Sequence, residues 1–551
     1  MRALPAWLRS PWLWLAAVVL MVAEFWLFDA MTSRHWTRSY PRWNDQIQYL
    51  SEAYTAFEHA KLHGLASGLR FALSKTALQG TLHDTFALPV FWLVGSASRS
   101  AALSLNMLAF LAWQATLLFT VIRLTGSRAL GWMAFGLLLC VAWPWSGEAA
   151  SAVDFRLDHA AMCLMGVTAC LALLSDGFRS TRWTLAFGAA VGVTMLERFL
   201  TGIYFAGFYL AAAAWVLAGA DRWPRLRNLL YAGMLTTALA LPVFWLNRTA
   251  IYTYYWVGHV TGAESAARFR GLDLWHSVQF IFGNLGRMHL GTYFGWTVLG
   301  LTGLLVALRR FRSPPPAVPG VRGWGFIATA YLLVPAAILC LHKQKSEYVL
   351  GVLVPGVMLL VVWLWHRLAW PAAGVPVPGW RRFLPALPAV AALVIGGNYF
   401  VQRQCRQPHS DEARASFRKI NEISDYIFRT ARAGQVPNPN ITVDQVVDFL
   451  DAQILQVTCY ERHKVWVPFV IQLPNSILAE QEDVVFYRMN LCDFVVLTEN
   501  MEGSGYWPYD KEMRRLYPRL KAWADENLHC VGRFSAFQRD MWLYQRRSLP
   551  R

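Results

Sequence analysis

Apolar positions in this chain gather into long blocks, separated by short polar turns or by longer mixed stretches. Blocks long enough to cross about 30 Å of hydrocarbon fall near residues 11–30, 101–122, 129–146, 155–174, 183–197, 199–219, 228–246, 291–308, 324–341, 348–365 and 383–400. They predict eleven membrane-spanning helices. The first block follows Arg2 and Arg9 as a secretory signal would. Its length, the Glu24 within it and the lack of a small-x-small cleavage site predict an uncleaved first helix instead.

The polar residues between the blocks give the chain an orientation. With the N-terminus inside, Arg123 and Arg128, Arg179 and Arg182, Arg222, Arg225 and Arg227, Arg309 to Arg322, and Arg367 to Arg382 all fall in cytoplasmic turns, against only Asp176 and Asp221. That is the positive-inside pattern. The long mixed stretches 31–100, 147–154 and 247–290, with the tail 401–551, then lie on the outer face. Long loops not needed for connection often carry function.

Composition adds little to this picture and removes one alternative. Of the 551 residues, 56% are hydrophobic and 15% charged, a membrane-protein balance. The net charge of +17 resides mostly in the short cytoplasmic turns, so it marks orientation and not a nucleic-acid partner. There is no Walker loop, dinucleotide fingerprint, CxxC, HExxH or strong internal repeat.

The tail, about 150 residues, is large enough for its own core and reads as an α/β domain. Thr442 or Asp444 can cap a helix whose apolar positions Val446, Val447, Leu450, Ile454 and Leu455 repeat at helical spacing. CDFVVLTEN reads as a strand, KEMRRLYPRLKAWADEN as a helix, and HCVGRF and DMWLYQR as two further strands. Cys405, Cys459, Cys492 and Cys530 lie in this part, where disulfides can persist. The fold class is therefore a mainly α polytopic membrane protein of about eleven transmembrane helices, residues 1–400, with a C-terminal extracytoplasmic α/β domain, residues 401–551.

Charged residues at the outer ends of the spans form the candidate chemistry. In YPRWNDQIQYLSEAY, Asp45, Tyr49 and Glu52 share one helical face, near Arg38 and Arg42, while Trp43 and Tyr54 can pack at the membrane surface. An amphipathic interfacial helix with a solvated acid is the plain alternative to a catalytic Asp45. Asp154, Arg156 and Asp158 open the fourth span, Asp154 as a possible helix cap. An unpaired Asp158 inside an apolar helix costs several kcal/mol, so it marks a cavity or a partner. Glu197 and Arg198 can form a local ion pair at the interface or face a substrate. Lys343, Lys345 and Tyr348 run against the positive-inside trend, and His83, Asp84, Arg268 and Arg270 complete the outer-face set. Together these residues suggest an anionic, membrane-borne substrate and an acid–base group.

At these positions the chain resembles the GT-C superfamily of integral-membrane glycosyltransferases, in particular the branch with bacterial aminoarabinose transferases and protein O-mannosyltransferases. DQIQY, through Asp45 and Tyr49, is similar to the acid-bearing motif of the first outer loop. His83 matches the later H/K-P-P-L motif, Arg156 and Asp158 the R-x-D start of the fourth span, and Leu196 and Arg198 the turn after the fifth. Lys345, Tyr348, Leu350 and Val354–Pro355 resemble the K-x-x-Y-x-L-x-x-x-P run, the proline standing one position late. Two features depart from the pattern. Gln46 stands where the family commonly has an acid, and the double proline after His83 is absent.

The resemblance implies a hexosyl- or pentosyltransferase whose sugar donor is a polyprenyl-phosphate sugar held in the membrane lipid, with a glycan, lipid or protein acceptor. Asp45 and Asp158 are then the candidate catalytic acids. Arg42, His83, Arg156, Arg198, Arg270, Lys345 and Tyr348 are candidate substrate contacts. No metal ligand is assigned, and a divalent metal stays open as a cofactor. A transporter or flippase of a lipid-linked saccharide and a membrane-anchored envelope assembly protein are the rival classes. The style of the chain is bacterial, which makes the expected location the inner membrane, with a cytoplasmic N-terminus and a periplasmic tail. The orientation is testable with a periplasm-dependent alkaline phosphatase fusion: fused after residue 405 the reporter is expected to be active, and fused after residue 177 inactive.

Overall fold

The computed structural model describes residues 11–39, 44–261, 273–309, 323–342, 345–369, 386–405, 411–436, 439–444, 452–465, 482–499, 511–536 and 539–549. Arg42, Arg268, Arg270 and Lys343 lie outside the described residues.

Each of the eleven apolar blocks contains a helix. These are α1 (Pro11–Met31), α5 (Arg99–Thr125), α6 (Arg128–Leu139), α7 (Leu157–Leu174), α8 (Thr181–Glu197), α9 (Thr201–Leu217), α10 (Arg222–Leu246), α13 (Gly291–Arg309), α14 (Trp324–Leu341), α15 (Val354–Ala369) and α16 (Ala386–Cys405). Among the described residues, seven helical segments are long and apolar enough to cross a membrane, and α6 and α9 are shorter apolar helices. The chain is a multi-pass membrane protein. Exposed Trp12, Val18, Val22 and Trp26 on α1, and Leu230, Met234, Leu241 and Trp245 on α10, form the apolar outer surface that hydrocarbon favours. Glu24 instead turns inward, where Gln114 Nε2 donates to it at 3.4 Å. The most enclosed span is α7, with 83% of its apolar window buried against 22% in α1, which puts α7 at the centre of the bundle.

Several spans close through small residues. A Cβ on Gly396 would sit 2.1 Å from the Gly136 carbonyl oxygen, and one on Gly136 would sit 2.5 Å from that of Ala392. Only glycine allows α6 and α16 to approach this closely.

The stretches expected as outer loops are themselves largely helical. Between α1 and α5 lie α2 (Asn44–His63), α3 (Leu65–Ser74) and α4 (Leu82–Val94). After α10 come α11 (Arg248–Ile251), a π-helical run Tyr252–Thr261, and α12 (Leu274–Asn284), which joins α13 through a second π-helical turn, Leu285–Leu290. Gly283, Asn284 and Gly286 break the apolar run there, which hides the continuity of α12 and α13 from hydropathy alone.

The tail contains α17 (Asp411–Ala433), β1 (Ile441–Val443), α18 (Ala452–His463), α19 (Glu482–Asn490), β2 (Phe494–Thr498), α20 (Lys511–Asn527), β3 (Leu528–Ala536) and β4 (Arg539–Arg546). The sheet order is β1-β2-β4-β3, with β1 parallel to β2 and the other two pairs antiparallel. The strands and α20 match the sequence expectation, while the expected helix start after Asp444 lies outside the described residues. Thr442 lies within β1, and Asp444 accepts from the Thr498 hydroxyl at 3.0 Å and from its backbone N–H, tying the end of β1 to β2. Val446, Val447 and Leu450 lie outside the described residues, while Ile454 and Leu455 are buried in α18. Cys459, Cys492 and Cys530 are free thiols.

α2 joins the two parts. One side packs on α3 and α4, and the other on α18. Ser51 donates to Gln456 at 2.8 Å, Tyr54 to Glu461 at 2.5 Å and Tyr460 to Glu58 at 2.5 Å, while the Tyr54 and Tyr460 rings lie 5.3 Å apart. Tyr54 is thus fully buried beneath the tail and does not lie at a membrane surface.

Gly136→Leu should force α6 and α16 apart and lower the thermal midpoint in detergent. The overpacking cost is expected to be about 1–3 kcal/mol, whereas Gly233→Leu, on α10 with open space beside it, should leave the midpoint within a degree or two.

Candidate active site

Several segments converge at the N-terminal end of α7. Asp45 lies in the first turn of α2; Asp154 and Arg156 lie in the loop before α7; Asp158 is in the first turn of α7; Arg198 ends α8. Gln79 and its neighbours are pinned to that last turn by two backbone bonds, Thr81 N–H to Leu196 O at 2.9 Å and Phe199 N–H to Gln79 O at 2.7 Å. Gly80 makes this contact possible, since a Cβ there would sit 2.0 Å from the Glu197 carbonyl oxygen.

The charges interlock around Arg156. Its Nη2 lies 2.6 Å from Asp45 Oδ2, and its Nε lies 3.9 Å from Asp154 and 3.8 Å from Asp158. Its guanidinium also stacks over the Tyr348 ring at 4.7 Å. Asp158 pairs with Arg198 Nε at 3.0 Å, and the first-turn position adds the favourable helix-start field. Arg198 Nη1 donates to Gln79 Oε1 at 2.5 Å, and Gln79 Nε2 donates to the Tyr254 hydroxyl at 2.8 Å.

Exposure separates the three acids. The Asp45 side chain is 41% exposed, against 6% for Asp158 and 3% for Asp154. Asp45 is the carboxylate of this cluster that an incoming molecule can reach. Burial pushes the Asp154 carboxyl up to about 7, against the pull of Arg156 and of the Ala150 N–H. Asp154 does not cap α7; its Oδ2 accepts from the Ala150 N–H at 2.7 Å, and Arg156 occupies the cap position.

The remaining candidates take supporting places. His83 is fully buried, with Nδ1 2.7 Å from Glu197 Oε1 and its ring against Phe155 at 4.2 Å. Glu197 therefore pairs with His83 and Arg198 with Asp158, so the two neighbours make no local ion pair. Asp84 pairs with Lys75, which also reaches Glu52 at 2.5 Å. Lys345 is turned away from the cluster: its Nζ donates to the carbonyls of Leu339, Cys340 and His342 at 3.0, 2.8 and 2.5 Å, satisfying the open C-terminus of α14.

Gln46, where the family pattern commonly has an acid, is buried and accepts from Arg99 Nε at 3.1 Å; Arg99 also donates to Ser39 O at 2.8 Å. Among the described residues no three His, Cys, Asp or Glu side chains form a metal-binding group. A divalent cation would have to share Asp45, Asp154 and Asp158 with two guanidiniums, so this donor set does not fit one.

Arg99, Gln79, Glu461 and Tyr254 were not singled out in the sequence. Their signals lie in partners far along the chain, with no local motif. A narrow crevice beside Asp158 and Arg198, lined on its other side by Leu200, Val349 and Val352, joins this polar cluster to apolar surface.

No family model matches this sequence, and no curated protein does either. Solved structures do, and the fold they share with this chain is that of the GT-C superfamily of membrane glycosyltransferases. In particular, the chain is similar to ArnT from Cupriavidus metallidurans in the apo state, at 15% identity and a TM-score of 0.59, over 96% of this chain and 97% of that one. The structure of ArnT bound to undecaprenyl phosphate matches at 14% identity and a TM-score of 0.58, over the same shares. The archaeal oligosaccharyltransferase AglB from Archaeoglobus fulgidus, in complex with an inhibitory peptide and a dolichol-phosphate, matches at 11% identity and a TM-score of 0.51, over 97% of this chain and 75% of that one.

The burial pattern sets an order of stabilities. Asp158→Asn leaves Arg198 buried without its carboxylate and should cost about 3–5 kcal/mol. Asp45→Asn removes a half-exposed partner and should cost under about 1 kcal/mol. Thermal unfolding of the two purified variants measures this order directly.

Proposed function

We propose that this protein is a glycosyltransferase that moves a sugar from a polyprenyl-phosphate donor to an acceptor at the outer face of the membrane, with inversion at the anomeric carbon. One observation carries the reading: Asp45 is the reachable carboxylate in a cluster otherwise buried and neutralised by Arg156 and Arg198. The ArnT-like fold supports it, since that neighbour is seen with undecaprenyl phosphate.

In this mechanism the acceptor hydroxyl or amine attacks the anomeric carbon from the face opposite the phosphate. Its proton passes to Asp45, the new bond to the sugar forms, and the bond from the anomeric carbon to the phosphate oxygen breaks. The electron pair leaves with the polyprenyl phosphate, where Arg198, Arg156 and the Tyr348 hydroxyl stabilise the added charge. Asp158 acts as a positioning residue: it holds Arg198 at 3.0 Å beside the crevice and lies 3.8 Å from Arg156 Nε. His83 supports the same wall through Glu197. Lys345 is assigned here to the end of α14 and not to the phosphate. Arg42 and Arg270 lie outside the described residues, so neither enters the mechanism.

The crevice beside Asp158 and Arg198 has room for one water, about 10 Å³, so the lipid donor must widen it to bring its phosphate against Arg198. We further place the protein in a bacterial inner membrane, with the active cluster and the unit 401–551 on the periplasmic side. This follows from the arginine distribution along the chain.

Positioned acid–base assistance is typically worth about 10²–10⁴-fold. In a reconstituted assay with a polyprenyl-phosphate sugar, Asp45→Asn should lower transfer by that order while keeping sugar-donor binding. Wild-type turnover by this variant would remove Asp45 from the base role. Release of free polyprenyl phosphate by the wild type separates transfer from flipping, since a flippase returns its lipid-linked sugar intact.

A further inference from the structure

A second concave surface lies between α17, α18 and the Thr37–Arg38 segment that follows α1. It encloses about 590 Å³, within the usual size of a ligand pocket. We propose that this cleft binds a phosphate group of the acceptor, carried either on a lipid head or on a soluble sugar. The word acceptor rests on the transfer reading above; the phosphate site does not.

The argument is one of charge. Arg38, Arg414, Arg418 and Arg462 line the cleft together with a single acid, Glu461. Two of the arginines already hold acids: Arg462 grips Asp425 with bonds of 2.7 and 2.5 Å, and Arg414 pairs with Asp411. Glu461 is occupied as well. It accepts from the Arg99 N–H at 2.9 Å and from Tyr54 at 2.5 Å, and its charge faces the buried Arg99 guanidinium. Arg38 and Arg418 are exposed and have no acid partner among the described residues. Two exposed guanidiniums without acid partners on the walls of one cleft give it a positive field that favours an anion. Two planar forks match the three oxygens of a phosphate monoester better than the two of a carboxylate. Asn421 adds a neutral donor on the same wall.

The position of the cleft gives the site its purpose. Its acid, Glu461, contacts Arg99, and Arg99 holds Gln46, the residue next to Asp45. The phosphate would therefore dock on the same clamp that fixes the Asp45 turn of α2. The sugar donor's phosphate belongs at Arg198, in the separate crevice, which shares no lining residue with this cleft. The basic cleft has no apolar wall for a polyprenyl tail, with Phe417 its one large apolar side chain.

The test uses the full chain in phosphatidylcholine nanodiscs. One arm adds phosphatidic acid to the disc and counts bound lipid by native mass spectrometry. The other titrates glucose 1-phosphate from solution, with glucose as the control, by calorimetry. The wild type should bind in at least one arm, and the responding arm identifies the source of the phosphate. Arg38→Gln/Arg418→Gln should weaken that binding about tenfold or more, with an unchanged thermal midpoint, and Arg38→Lys/Arg418→Lys, which keeps the charge and loses the forks, should fall between the wild type and the glutamine variant. Absence of wild-type binding in both arms, or binding that the double glutamine variant leaves unchanged, overturns the proposal. Asp45→Asn should bind phosphate as the wild type does. Loss of transfer with intact phosphate binding therefore concerns the base alone, and intact transfer with no phosphate binding rejects the cleft alone.

Discussion

Arg156 is buried with its guanidinium between Asp45, Asp154 and Asp158, and the segments around the N-terminal end of α7 keep it paired there. A charge in that position is costly unless its partners are held in place, and removing one partner from a buried pair typically costs about 3–5 kcal/mol. The partners come from α2, the loop before α7 and α7 itself. Arg198 extends the network to the end of α8 and, through Gln79, to the segment after α3 and to Tyr254. Helices from distant parts of the chain must dock correctly to satisfy this one group. The same requirement fixes the direction of α2 relative to the bundle, and with it the direction in which Asp45 points.

The division of labour in the cluster follows from burial. Asp158 and Asp154 are enclosed and serve to hold cations, while Asp45 keeps a face open to solvent. A carboxylate that is open on one side and backed by a fixed guanidinium is suited to accept a proton from a group arriving along that side. The crevice lies beside Arg198, and the basic cleft lies between α17, α18 and the segment after α1. In the proposed mechanism the acceptor and the leaving phosphate sit on opposite faces of the anomeric carbon, as an inverting displacement requires. The clamp of Tyr54, Tyr460 and Ser51 on α18 makes the tail a wall of this arrangement.

Much of this was legible in the sequence because hydropathy is a local signal. Apolar blocks marked each spanning helix, and the charges at their outer ends marked Asp45, Arg156, Asp158 and Arg198, which the fold brings together. What local signals could not give was the choice of partner. Glu197 and Arg198 are adjacent in sequence, yet they face His83 and Asp158, which come from other helices. Lys345 looked like an anion contact because it broke the charge rule, but the open carbonyls at the end of α14 claim it. Gln46 looked like a departure from a motif, and it is the residue that receives Arg99 from 53 positions away. The start of α2 was legible as a helical face, while α3, α4 and α12 fell within stretches read as outer loops because their apolar runs are short or interrupted.

The central claim is that Arg156 and Asp45 act as one unit, a held cation and the reachable base it orients. A double-mutant cycle on sugar transfer with Asp45→Asn, Arg156→Gln and the combined variant tests this most directly. The account predicts strong non-additivity, with the double variant little slower than the slower single one. Losses that multiply independently would contradict it and would separate Arg156 from the action of Asp45.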